Sequence, residues 1–342
     1  MNSRVAVVIL NYNGASMLRR FLPSVVANSP MADIVVADNA STDDSVAVLK
    51  GEFPNIRVIA LERNYGFAEG YNRALRDVDN EYYILLNSDI EVTNGWIEPL
   101  LDYMDTNKNV GACQPKVRSY NNRDYFEYAG AAGGFIDYYG YPYCRGRLFD
   151  TVERDNGQYD TVAEIFWATG AALMIRRDDF WNSGAFDAGF FAHMEEIDLC
   201  WRLKAMGRSI VCVPGSVVYH VGGATLSKNN PRKTFLNFRN NLLMLHKNLP
   251  QREYKKVMRV RSLLDYIAAV KFLLTGAFGD FKAVVAARRE FNSIKNEYDT
   301  KRRDNIDSAK IEKTTCRASF SILVQYYIKR KRLFSELPDA CK

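Results

Sequence analysis

The sequence has no Cys-x-x-Cys pair. Its six cysteines (Cys113, Cys144, Cys200, Cys212, Cys316, Cys341) are scattered, which disfavours a zinc knuckle or a dithiol redox motif and suits a reducing compartment. No Gly-x-Gly-x-x-Gly follows the first strand-like run, and no Gly-x-x-x-x-Gly-Lys-Ser/Thr loop occurs anywhere. A Rossmann dehydrogenase and a P-loop NTPase are therefore disfavoured. Long apolar runs are also missing. Phe272 to Gly279, the longest uncharged stretch between residue 251 and the second apolar tail segment, falls far short of the roughly 20 residues that span a bilayer. The apolar run Val5 to Leu10 is too short for a signal peptide and leads straight into Asn11-Tyr12-Asn13-Gly14. A cytoplasmic protein is expected.

Charge is unevenly spread. Residues 251–342 hold 21 Lys and Arg against 11 Asp and Glu, a balance of +10, which leaves −4 for the first 250 residues of a chain whose net charge is +6. A basic tail on a mildly acidic body points to an anionic partner for the tail. The 342 residues suffice for one large domain with an appendage, or for two modest domains.

The first ninety residues alternate short apolar runs with helical spacing. Val5–Leu10, Ile34–Ala37, Ile56–Ala60 and Tyr82–Leu86 read as buried strands, and Ser16–Asn28 as an amphipathic helix. This alternation predicts an α/β fold with a doubly wound, mostly parallel sheet flanked by helices. In such sheets ligands bind beyond the carboxyl ends of the strands. Three of those ends are polar: Asn11-Tyr12-Asn13-Gly14, Asp38 and Asn87-Ser88-Asp89. Tyr12 offers a flat face for a base, Asp38 an acceptor, and Asp89 a hard oxygen ligand for a divalent cation. Each residue has a bland local reading as a turn or helix cap; their joint placement favours a site.

Further along, Tyr120 to Tyr143 is dense in tyrosine and glycine. This composition is equally compatible with stacking on sugar rings and with packing in a loop-rich hairpin region. Ile165–Arg176 reads as a strand interrupted by Gly170. Glu195, Glu196 and Asp198 open a helix, where the dipole favours carboxylates and where a general base could be held beside a cleft. His220, one of three histidines, ends an apolar run; it is a core histidine or a metal ligand.

Taken in order, Asn11-Tyr12-Asn13-Gly14, Asp38-Asn39-Ala40-Ser41-Thr42-Asp43, Arg63-Asn64-x-Gly66-Phe67-Ala68-x-Gly70-x-Asn72, Leu85-Leu86-Asn87-x-Asp89, Thr169-Gly170-Ala171, Glu195-Glu196-x-Asp198-Leu199-Cys200-x-Arg202 and His220 resemble the family 2 glycosyltransferases of GT-A fold, particularly bacterial rhamnosyltransferase-like members. The resemblance covers roughly the first 240 residues. It implies a nucleotide-sugar transferase domain over 1–240 and a basic helical extension over 241–342. It also implies an inverting, metal-dependent transfer from a nucleotide-diphosphate sugar to a hydroxyl of a glycan or polyprenyl-diphosphate-linked acceptor, in bacterial surface polysaccharide synthesis.

The implied base is Glu196, where the family more often has Asp, with Glu195 and Asp198 as neighbours able to share the role. Asn11, Tyr12, Asp38, Asn64, Gly66, Asn72 and Asn87 would line the nucleotide-sugar site, Arg239 would approach its phosphates, and Asp89 with His220 would hold Mn²⁺ or Mg²⁺. Two other classes compete. A nucleotidyltransferase would need a basic, glycine-rich first loop, which Asn11-Tyr12-Asn13-Gly14 is not. A non-catalytic nucleic-acid-binding protein would rest on the basic tail alone, with no recognition motif and an acidic body, so no nucleic-acid partner is expected. The tail reads as helices that lie on an anionic membrane, on the inner face of the cytoplasmic membrane, or as a subdomain that packs on the body or forms an oligomer contact.

Overall fold

The first strand shows how the sheet is buried on both sides. In β1 (Val5–Asn11), Val5, Val7 and Ile9 point into one apolar cluster, and Ala6 and Val8 into the other. Successive side chains of a strand face opposite ways, so a strand of this composition needs cover on both faces. The structure, a computed structural model, describes residues 3–222, 230–311 and 314–341.

The expected alternation is present. After β1 come α1 (Ala15–Asn28), β2 (Ala32–Asp38), α2 (Ser45–Glu52), β3 (Arg57–Ala60), α3 (Gly66–Ala74) and β4 (Tyr82–Asn87). Strands β4, β1, β2 and β3 pair in parallel, in that order. Beyond β4 the sheet becomes mixed. β5 (Ile90–Val92), α4 (Glu98–Thr106) and β6 (Val110–Ser119) follow. A four-stranded antiparallel sheet is then built from β7 (Gly134–Ile136), β8 (Pro142–Cys144), β9 (Arg147–Leu148) and β10 (Thr151–Val152). β11 (Ala163–Glu164), β12 (Ala172–Arg176), α5 (Arg177–Asn182), α6 (Glu195–Ala205) and β13 (Ser209–His220) complete the body. β12 runs antiparallel between β4 and β6, and β13 runs parallel to β6 with a bulge between Val213 and Val217. The large sheet reads β11-β13-β6-β12-β4-β1-β2-β3, with β5 paired to β13.

The strand expected over Ile165–Arg176 forms only from Ala172. Its first half leaves the sheet because Trp167 lies against the small sheet, bridged to Gly134. A Cβ on Gly134 would fall 2.0 Å from the Trp167 ring, so glycine is required there. The tyrosine- and glycine-rich middle is thus largely a packed subdomain: Phe135 and Tyr143 stack with ring centroids 5.7 Å apart, and Phe334 closes on both.

The tail forms α7 (Pro231–Asn248), α8 (Gln251–Leu274), α9 (Phe278–Ile294) and α10 (Asp299–Asp307). The chain then folds back over the small sheet, where Ala318 N–H donates to Ile136 O at 2.9 Å and Tyr138 N–H to Phe320 O at 3.0 Å. This return brings Cys316 to Cys341, and the two form a disulfide. The reading of the six cysteines as a set suited to a reducing compartment did not anticipate this bond; Cys113, Cys144, Cys200 and Cys212 are free and buried. Among the described residues no helix is long and apolar enough to cross a membrane.

Candidate active site

Three carboxyl-terminal strand ends meet at one edge of the parallel half. Asn11 and Asp38 are direct neighbours in the β1–β2 register. Asn11 Nδ2 donates to Asp38 Oδ1 and to Ser41 Oγ, each at 3.2 Å, and Ser41 N–H donates to Asp38 Oδ2 at 3.0 Å. Asn11 Oδ1 is buried without a partner and faces Gly14, where a Cβ would fall 2.3 Å from it. Tyr12 stands at the rim, 47% exposed.

Beside them Asn39, buried, donates to Asn64 Oδ1 at 3.1 Å and to Gly66 O at 3.0 Å, and accepts from Tyr65 N–H at 2.9 Å. Asn64 Oδ1 also accepts from Gly66 N–H at 2.9 Å. Gly66 has φ of +75°, and a Cβ there would meet the Phe191 ring at 2.5 Å. Asn64 and Gly66 therefore shape the turn into α3. Asn72 does not join them: its amide clasps the backbone of Phe186, donating at 2.9 Å and accepting at 3.1 Å. The expected ligand contact for Asn72 is replaced by a loop brace.

Asp89 lies in the turn between β4 and β5, and the β5–β13 pairing carries it to His220. His220 Nε2 is 3.1 Å from Asp89 Oδ1, and Nδ1 is 3.3 Å from Glu127 Oε2; all three residues are buried. Burial alone would depress the imidazole, but the hydrogen bonds and charges of Asp89 and Glu127 overcome it and raise His220 to about 10. The same contact outweighs burial at Asp89 and holds its carboxyl below the usual range.

The donor set fits a divalent cation that takes the place of the Nε2 proton: a carboxylate and an imidazole converge, and a second carboxylate backs the far ring nitrogen, as ligating histidines commonly require. Among the described residues no group of three or more ligands is arranged to hold an ion unaided. Glu127 was not legible as a site residue in the sequence. It sits in the tyrosine-rich middle without a motif, and only the fold brings it within reach of His220. Asn87 joins this corner through its backbone, donating to Ala171 O at 2.9 Å beside Gly170.

A strained loop precedes α6 and meets the start of α3, where Phe67 and Ala68 N–H donate to Phe191 O at 2.7 and 3.1 Å. Phe191, His193 and Met194 all have positive φ, at 62°, 71° and 72°, each costing on the order of 1–3 kcal/mol. What holds them is α7. Asn240 Nδ2 lies 2.8 Å from the carbonyls of Phe190, Ala192 and His193. The Arg239 guanidinium donates to Gly189 O at 3.0 Å and Phe190 O at 3.3 Å, and to Glu290 at 2.7 Å. Arg239 was expected near phosphate; its donors are instead engaged in bracing this loop. His193, which the sequence did not single out as a site residue, is half-buried with its Nε2 enclosed and unpartnered, and that enclosure lowers it to about 4.

The loop presents Glu195 and Glu196. Each has a buried carboxyl oxygen, Oε2, with no partner. Burial pushes Glu196 up to about 7, and burial together with the charge of Glu196 drives Glu195 well above the ordinary carboxylate range. Glu195 is the more deeply buried; Glu196 retains some exposure and lies over Gly170. A carboxyl group that titrates near neutrality suits general base chemistry.

Asp198, three residues on, is of another kind. It is 0% exposed and accepts from Arg202 Nε at 3.0 Å, Lys247 Nζ at 2.8 Å and Asn248 Nδ2 at 2.8 Å. The helix turn points it into the α6–α7 interface, away from the pair it adjoins in sequence, and its oxygens are engaged there rather than free for proton transfer. Asp198→Ala is expected to cost about 3–5 kcal/mol of stability by leaving Lys247 and Arg202 buried without it. Urea unfolding measures this, and an unchanged midpoint would refute the structural role.

Comparison with known proteins sets this geometry in context. The sequence profile described as "Glycosyl transferase family 2" matches residues 6–183. The chain is 27% identical over 236 residues to the N-acetylglucosaminyl-diphospho-decaprenol L-rhamnosyltransferase of Mycobacterium tuberculosis, covering 64% of this chain and 76% of that protein. It is 22% identical over 225 residues to the rhamnosyltransferase WbbL of Escherichia coli K12, covering 63% and 83%. Among solved structures, GalNAc-T7 with UDP, GalNAc and Mn²⁺ matches with a TM-score of 0.58 at 18% identity, over 91% of this chain; the chain spans 59% of that one. Staphylococcus aureus TarS with UDP-GlcNAc matches with a TM-score of 0.55 at 14% identity, over 90% and 89%. These likenesses show the GT-A fold, and the profile covers half of the chain: the protein belongs to glycosyl transferase family 2 and is a glycosyltransferase, similar to bacterial rhamnosyltransferases.

Proposed function

We propose that the chain transfers a sugar from a nucleotide-diphosphate donor to a hydroxyl of a lipid-linked or glycan acceptor, with inversion at the anomeric carbon, in the assembly of a bacterial surface polysaccharide. The observation that carries this reading is the Glu195–Glu196 pair. Each carboxyl keeps one buried, unpartnered oxygen and is raised toward neutrality or above it, and Glu196 lies over Gly170, next to the Ala171 carbonyl that accepts from Asn87 at the end of β4. Tyr12 and Asp38 would receive the base, and Asn11 Oδ1 would gain the donor it lacks. Asp89 and His220 would hold Mn²⁺ or Mg²⁺, whose positive charge offsets that of the departing diphosphate. Glu196 removes the proton from the acceptor hydroxyl. The hydroxyl oxygen bonds to the anomeric carbon, the bond from that carbon to the diphosphate breaks, and the nucleoside diphosphate leaves with the electron pair. Residues 1–240 carry this machinery in our reading, including the Arg239 and Asn240 clasp on the loop before Glu195, and 241–342 form an extension whose Glu290 holds Arg239. A nucleotidyltransferase or a nucleic-acid-binding protein gains no support from the family match.

The names of the similar rhamnosyltransferases make a nucleotide-linked deoxyhexose the first donor to try. The test is a thermal-shift screen with UDP-, dTDP- and GDP-sugars, with and without Mn²⁺ or Mg²⁺. One nucleotide class should raise the melting temperature, and only with the cation. No shift with any pair of donor and cation would overturn the reading.

A further inference from the structure

Helix α8 is turned inside out for a surface helix. Its buried stripe, Val257, Arg261, Asp265 and Ala269, carries two charged residues. Asp265 accepts from Arg261 Nε at 3.3 Å and from Arg288 Nη1 at 2.6 Å. Its outer stripe is apolar: Leu263, Ile267, Val270 and Leu274 recur at helical spacing, all exposed, with Leu274 81% exposed. An amphipathic helix ordinarily presents the opposite arrangement to water.

The stripe does not end with the helix. Phe278, 61% exposed, extends it to the start of α9. On its other side Lys271 Nζ lies 5.7 Å from the Tyr327 ring centroid. That ring and its exposed neighbour Ile328 belong to the single π-helical turn Val324–Ile328. Eleven of the nineteen exposed large hydrophobic side chains among the described residues fall in the two segments 263–278 and 324–333. Such a concentration marks an interaction surface.

Its border is cationic. Arg259, Lys271, Lys329, Arg330 and Arg332 are exposed. No Asp or Glu occurs from Tyr266 to Gly279 or from Phe320 to Ser335; one acid, Asp150, lies near Tyr327. The patch ends beside the catalytic loop. Thr234 Oγ1 of α7 bonds to Asp280 Oδ1 of α9 at 2.6 Å, and Arg232 of the same turn lies 5.2 Å from the Phe191 ring centroid.

We infer that this face docks on an anionic lipid bilayer. The outer stripe of α8, Phe278 and Ile328 enter the headgroup–acyl boundary, and the Lys and Arg border contacts the anionic headgroups. The apolar area supplies burial without a spanning helix, and the acid-poor cationic border selects a negatively charged surface. A second copy of this chain would bring its own cations against that border, so charge complementarity favours lipid. The inference stands apart from the identity of donor and acceptor.

The test is sedimentation of the full-length chain with vesicles of roughly equal parts phosphatidylcholine and phosphatidylglycerol, against vesicles of phosphatidylcholine alone, at low and high salt, with light scattering to read oligomeric state. The chain should sediment with the anionic vesicles at low salt and much less with the neutral ones. Ile267→Asp with Leu274→Asp should weaken the binding at least about tenfold. Each of Lys329→Glu and Arg330→Glu should weaken it about fivefold at low salt. All four side chains are exposed, so thermal melts should not move. Absence of sedimentation at low salt, equal binding by the variants, or a dimer that Ile267→Asp with Leu274→Asp converts to monomer without any vesicle binding would each overturn the inference.

Discussion

Glu196→Gln is expected to lower the turnover of sugar transfer about a thousandfold, within the range of roughly 10²–10⁴ for loss of a general base, while donor affinity stays near normal. The amide keeps the shape and burial of the carboxyl group and loses the basic oxygen. Glu195→Gln should do far less, because burial and the charge of Glu196 favour the protonated form of Glu195, which the amide mimics. The rate profile carries a second signature. With Glu196 raised to about 7, kcat/KM should climb with pH and level off above that point, and the climb should vanish in the variant. Single-turnover transfer measured across pH checks both. Near-normal transfer by Glu196→Gln would move the base elsewhere.

The same substitution should raise stability. In the unfolded chain a glutamate ionises near pH 4.5, whereas in the fold Glu196 holds its proton to about 7. Between these values the folded state binds the extra proton, so the wild-type chain loses stability as pH rises through the window and keeps it in full below. Glutamine removes that loss. The variant should be as stable as wild type near pH 4 and more stable near pH 7, by up to about 3 kcal/mol. Lower activity with higher stability is what a carboxyl group held under strain for function predicts.

How much of this was legible in the sequence follows from where each residue gets its structure. β1, β2 and β4 are specified locally: their apolar runs are buried on both faces, and their polar ends fall where a parallel sheet opens its cleft. Asn11, Asp38 and Asp89 could therefore be placed from spacing alone. β12 could not, because its direction is set by pairing with β4 and β6 rather than by its own pattern. Asp198 looked like part of an acidic cluster, but helix geometry points neighbouring residues in different directions, and Lys247, forty-nine residues later, claims it. Glu127 offered no signal at all. Arg239 was expected near phosphate, but its role with Asn240 as a clasp on Phe190–His193 depends on the docking of α7. Of the tail's two readings, packing on the body describes the inner side of α8, where Arg261 and Asp265 are buried, while its outer side is exposed.

Asp89→Ala is expected to abolish cation-dependent transfer, a loss of about a thousandfold or more, since compensation of developing diphosphate charge is worth several kcal/mol. The thermal stabilisation by donor that requires the cation should disappear with it, which separates lost binding from lost chemistry. The fold should survive: Asp89 occupies a turn, and the β5–β13 pairing that frames it is made by backbone. His220 keeps Glu127 at 3.3 Å and so is not left as a buried cation without a partner. Glu127→Gln is the informative companion, because it leaves Asp89 and His220 in place and removes only the carboxylate behind the ring. Its cation affinity should fall about 10–100-fold, as for other residues that orient a ligating histidine, and excess Mn²⁺ should restore transfer. Titration of cation into each variant, read by thermal shift and then by transfer, ranks the two residues. If Asp89→Ala transferred sugar at the wild-type rate in the presence of chelator, the charge on the leaving diphosphate would have to be met by the chain's own cations instead, and the Asp89–His220 contact would be a structural one.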